Sequence, residues 1–109
     1  MTEWDVDFAR SEETGTRVLA ATGEIDLSSA GRFAQELAAL VGDASGTAAV
    51  DLSGVTFMDS SGVRELLAAN RQAEAAGVQM VLANPSTACR RVLEVSGVWE
   101  EFTVRRAQT

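Results

Sequence analysis

Three short apolar runs, residues 17–22, 47–52 and 78–83, alternate with stretches whose apolar residues recur every three or four positions. No other feature constrains the fold as tightly. A run of that length suits a strand, and helical spacing suits an amphipathic helix. Strands joined by single helices pair in parallel with right-handed crossovers. The chain is therefore expected to be an α/β domain on a mixed, mostly parallel sheet.

Finer signals order the elements. Trp4, Val6 and Phe8 alternate with Asp5 and Asp7, the period of a half-exposed strand over residues 4–10. A polar turn at 11–15 leads into the run 17–22, apolar on both parities as in a strand covered on both faces. These two should form an N-terminal hairpin. Gly23 ends the second strand, and Glu24, Ile25, Asp26 and Leu27 read as a loop. Ser28 or Ser29 caps a helix marked by Ala30, Phe33, Leu37, Leu40 and Val41. Residues 42–46 close it, 47–52 form a strand, and 53–58 read as a loop. A second helix over 61–76 sets Val63, Leu66, Leu67, Asn70 and Ala73 on one face, and Gly77 stops it. A strand at 78–83 and an Asn84-Pro85 turn follow, with Ser86 or Thr87 capping a third helix through Val95. Gly97 stops that helix, 101–104 is a last strand, and 105–109 a tail. The pattern is β-β-α-β-α-β-α-β in a single domain spanning 1–109.

Composition removes most catalytic readings. The chain has no histidine, lysine or tyrosine, and all nine basic residues are arginines. A serine nucleophile with a His or Lys base cannot be assembled, nor a Schiff base or a lysine-bearing phosphate loop. Zinc sites built from His and Cys clusters are excluded, and no cofactor or metal is expected. The net charge of −7 disfavours nucleic acid, whose phosphates need clustered cations. No apolar run approaches ~18 residues, so no membrane span is expected. The acidic start, Met1-Thr2-Glu3-Trp4-Asp5, lacks a signal-peptide pattern. With the lone Cys89, it points to a cytoplasmic, reducing location.

Loops after the carboxyl ends of parallel strands gather on one edge, where open α/β sheets carry their sites. That edge is expected to hold Glu24 and Asp26, then Asp59, Ser60 and Ser61, then Asn84. The hexapeptide Phe57-Met58-Asp59-Ser60-Ser61-Gly62 sets two hydroxyls at a helix start. A serine there can cap the helix or carry a phosphate facing the positive end of its dipole. The plainer reading takes Ser60 and Ser61 as caps, Asp59 as a favourable charge, and Asp26 as a brace of its loop. Phe57 and Met58 then pack beneath as core, with Met58 alternatively a partner contact.

Four pieces of the chain resemble STAS-domain proteins of the anti-sigma-factor antagonist type. They are Gly23-Glu24-Ile25-Asp26, Val50-Asp51-Leu52, the hexapeptide, and Ser96-Gly97-Val98, and the resemblance spans residues 18–102. It implies a regulatory binding module, not an enzyme. In that family an anti-sigma factor with Ser/Thr kinase activity phosphorylates the first serine of the motif. The unphosphorylated form binds the kinase and releases a sigma factor, and a Ser/Thr phosphatase restores it. The resemblance makes Ser60 the phosphoacceptor, with Ser61 secondary. Partner contacts would come from Asp26, Met58, Asp59, Ser60, Ser61, Gly62 and Arg64. Two departures stand out. Position 64 is often glycine in the family, and the family's closing helix is expected to be absent or truncated, since the sequence ends soon after Val104.

Other functions use the same edge. STAS domains also serve as accessory domains of transporters or lipid-transport complexes, and some are proposed to bind a nucleotide. This chain has no glycine-rich phosphate loop. An acidic-pocket receiver domain would need a lysine.

Overall fold

The computed structural model describes residues 6–107, so the expected contribution of Trp4 lies outside them. A two-residue turn starts the sheet. Thr14 and Gly15 both take positive φ, 51° and 80°, which matches the twist of a tight hairpin. It joins β1 (Val6–Glu13) to β2 (Thr16–Ile25) antiparallel, with Glu13 opposite Thr16. Both strands run further than the alternation predicts, because polar Ser11, Glu12 and Glu13 still pair with β2.

Three parallel strands follow: β3 (Thr47–Met58), β4 (Gln79–Ala83) and β5 (Thr103–Arg105). The order is β1-β2-β3-β4-β5, so each crossover adds its strand beside the last. The connecting helices are α1 (Ala30–Asp43), α2 (Ser60–Ala76) and α3 (Thr87–Val95), with a 3-10 turn, Trp99–Glu101, before β5. The mostly parallel α/β expectation holds. Among the described residues no helix follows β5.

The core lies on one face of the sheet. Leu19, Val50, Leu52 and Leu82 meet Phe33 and Leu37 of α1, Leu66 of α2 and Leu93 of α3. Alternation turns Val18, Ala49, Asp51, Val81 and Ala83 to the other face, where they line an open hollow of about 350 Å³. Double coverage of the run 17–22 is therefore not what forms: Leu19 and Ala21 are buried, while Val18 and Ala20 are half-buried.

The main departure from expectation is the length of β2 and β3. Glu24 and Ile25, expected in a loop, continue β2, and residues 53–58, also expected in a loop, continue β3. The second half of β3 passes two register shifts against β2, each adding one residue on β3. The first is at Gly54, where a Cβ would stand 2.6 Å from Thr22 Cγ2. Bulges of this kind let irregular sequence remain in a ladder, which is why a strict period-2 reading missed them.

Candidate functional site

The extended strands carry the site beyond the rest of the sheet. Ile25 pairs with Met58, and the Asp59 amide donates to the Ile25 carbonyl at 3.2 Å. The turns after β2 and β3 thus emerge side by side, bringing Asp26 and Asp59 onto one edge. Asn84 does not join them. Asp51 is opposite Ala83, so Asn84 leaves β4 level with Leu52. At ~3.3 Å per residue that is roughly 20 Å short of Asp59. Asn84 instead accepts a bond from the Ala107 amide and lines the hollow on the open face.

The β2–α1 turn is held by its own polar groups. Asp26 accepts from the Ser28 amide at 2.9 Å and the Ser28 hydroxyl at 2.7 Å. The Ser28 hydroxyl, foremost, holds the Asp26 carboxyl below its usual value. Buried Ser29 accepts from the Asp26 amide at 3.0 Å and donates to the Glu24 carbonyl at 3.1 Å. It therefore ties the turn shut and makes no side-chain cap to α1, contrary to its expected role. Ser86 does cap α3, accepting from the Cys89 amide at 3.2 Å.

At the start of α2 the cap is Asp59, not either serine. Its carboxylate accepts from the Ser61 amide at 2.9 Å and from the Ser61 hydroxyl. An acid in that position satisfies an otherwise orphan amide and complements the dipole. The helix begins at Ser60, one residue earlier than expected. The two hydroxyls are thereby separated. Ser61 is only 6 % exposed and tied to Asp59. Ser60 is exposed, and its hydroxyl has no hydrogen-bond partner among the described residues. Arg64 is also exposed, on the next turn.

The remaining expected contacts divide. Met58 is 4 % exposed and lies under Gly62, so it is core and not surface. A Cβ on Gly62 would stand 2.8 Å from Met58 Cγ and 2.9 Å from Ile25 Cγ2. Gly62 is thus a packing position that lets the first turn of α2 lie against both strand ends. Phe57, expected in the core, is 46 % exposed. It lines an apolar cavity of about 510 Å³ with Met58, Ala88, Arg91, Val92 and Val95. Sequence reasoning missed this cavity. The available signal was Val95, an apolar residue beside the polar end of α3, where it is 82 % exposed. Leu27, in the Asp26 turn, is likewise 79 % exposed.

Cys89 is fully buried, and burial pushes its thiol up. Arg90 pairs with Glu94 and lies over the Trp99 ring at 5.0 Å. Among the described residues no helix is long and apolar enough to cross a membrane.

Known proteins share this fold. A family model described as "Mlab, STAS domain" matches residues 8–104. An anti-sigma F factor antagonist of Lysinibacillus sphaericus is 33 % identical over 76 % of this chain and 72 % of its own length. The crystal structure of an anti-sigma factor antagonist from Mycobacterium paratuberculosis superposes with a TM-score of 0.79, covering 93 % of this chain and 86 % of that one at 26 % identity. The anti-sigma factor antagonist SpoIIAA in its unphosphorylated form gives 0.75 at 29 % identity, covering 94 % and 89 %. The Bacillus SpoIIAA in its phosphorylated form gives 0.71 at 28 % identity, covering 94 % and 92 %. By sequence and fold together, the chain belongs to the STAS-domain, anti-sigma factor antagonist family.

Proposed function

We propose that this chain docks to an anti-sigma factor with Ser/Thr kinase activity and thereby frees a sigma factor. Phosphorylation of Ser60 ends the docking, and a Ser/Thr phosphatase restores it. The chain acts by binding, as substrate of another protein's chemistry. The observation that carries this reading is the contrast between two adjacent hydroxyls. Ser60 is exposed and unpartnered among the described residues, while Ser61 is buried and bound to the capping Asp59. A kinase needs the first kind. A similar protein solved in phosphorylated and unphosphorylated forms supports a switch of this type.

The surroundings suit a docking surface. Leu27, Phe57 and Val95 are the exposed large hydrophobic residues among those described, and two of them flank the Asp26 and Asp59 turns directly. Clustered exposed apolar area of this kind marks interaction sites. A phosphate adds about −1.5 to −2 charges near neutral pH. It would arrive beside Asp59 on a protein already at −7. A penalty of ~3 kcal/mol weakens binding by about two decades.

Incubation with the candidate kinase and ATP, followed by intact-mass measurement, tests the assignment. Wild type and Ser61→Ala should gain one phosphate, and Ser60→Ala none. Uptake by Ser60→Ala equal to wild type would overturn it.

A further inference from the structure

The first turn of α2 has few donors left for a new anion. The Ser61 amide is held by the Asp59 carboxylate at 2.9 Å. The Gly62 and Val63 amides donate to the Asp59 carbonyl at 3.1 and 3.2 Å. Only the Ser60 amide lacks an acceptor among the described residues, so most of the positive end of the helix is already engaged by the residue next to Ser60. A phosphate on Ser60 would also add its charge next in sequence to Asp59, on the edge that carries the Asp26 turn.

One cation stands within a helical turn. Ser60 and Arg64 are four residues apart on the same helix, so their side chains share a face. Both are exposed, and among the described residues Arg64 makes no ion pair. Anion before cation is also the favoured order along a helix. A guanidinium offers two parallel donors to phosphate oxygens, which a lysine cannot match. Resting on the reading of Ser60 as phosphoacceptor, we propose that Arg64 is the counter-ion of phosphorylated Ser60. The pair closes across the first turn of α2 and holds the modified helix start in place without displacing the Asp59 cap. The unmodified protein leaves the arginine free.

Within the isolated chain, apart from any partner contact, the pair would make position 64 matter to stability only in the modified state. With Ser60 unmodified, replacing Arg64 removes a solvated side chain and little else. With the phosphate present, it leaves a dianion on an edge that carries two carboxylates. The role is thus visible as coupling between the two positions, not as the effect of either change alone.

Phosphoserine introduced at position 60 during protein synthesis makes the test independent of any kinase. Thermal unfolding is measured for wild type, R64Q and R64K, each with and without the phosphate. The modification should lower Tm by about 2–3 °C more in R64Q than in wild type, with R64K between them. That difference should shrink in high salt, as expected for an exposed pair. The Arg64 Nε–H resonance should move downfield on phosphorylation in wild type. Equal Tm changes in wild type and R64Q, or an unmoved Arg64 signal, would overturn the proposal. Failure of the kinase assay would instead sink the switch and leave this coupling measurable.

Discussion

Gly62 shows how much of the site rests on the absence of one methyl group. Its missing Cβ leaves room for Met58 and Ile25, the last residues of β3 and β2, directly beneath the first turn of α2. Gly62→Ala should therefore cost about 1–3 kcal/mol through overpacking, read as a lower midpoint in chemical denaturation. An unchanged midpoint would mean that the strand ends yield freely. Asp26 gives a second residue-scale test. Its carboxyl is lowered chiefly by the Ser28 hydroxyl, so its bonds should persist above the ordinary value of 3.8 and be lost as pH falls through the lower folded value. A carboxyl NMR titration of Asp26 should show a midpoint below 3.8, and a midpoint at or above it would contradict the Ser28 contacts. At this scale the order of residues reveals only part of the site. The motif marks where hydroxyls and acids lie, but which group caps depends on geometry. Asp59, not a serine, takes the Ser61 amide, and that choice is what buries one hydroxyl and exposes the other.

Among the elements, β3 matters most. Its twelve residues outrun β4 and project the Asp59 turn beyond the parallel ladder. The projection depends on two register shifts against β2, the first at Gly54 against Thr22. Gly54→Ala should cost about 1–2 kcal/mol by forcing Cβ onto Thr22 Cγ2, and Thr22→Ala in that background should recover most of the loss, since it removes the clashing atom. No recovery in the double variant would mean the strain lies in the backbone. The helices were legible because their apolar spacing is regular: Phe33, Leu37, Leu40 and Val41 of α1 are all buried as that spacing predicts. The far halves of β2 and β3 were not. Gly23, Gly54 and Ser53 read as loop residues, and only pairing with a neighbouring strand makes them extended. The same blindness to strand length brought Asn84 to the wrong place, because a sequence pattern does not say that β4 stops early.

For the whole molecule, charge and shape act together. The sheet keeps its helices on one face and carries the Asp26 and Asp59 turns at the tip of its longest strand pair. The proposed switch region is thus peripheral to the core, and a phosphate there would leave Leu19, Val50 and Leu82 buried. Phosphorylation of Ser60 would take the protein's charge from −7 to roughly −9, with the new charge concentrated at the proposed docking edge. Salt should therefore reduce, but not abolish, the difference between the two forms, since charges within a contact are screened less than those in solvent. The most direct measurement is titration calorimetry of the partner anti-sigma factor against the unmodified chain and the chain carrying phosphoserine at position 60. The account predicts an affinity about a hundredfold weaker for the modified form. Equal affinities for the two forms would contradict it.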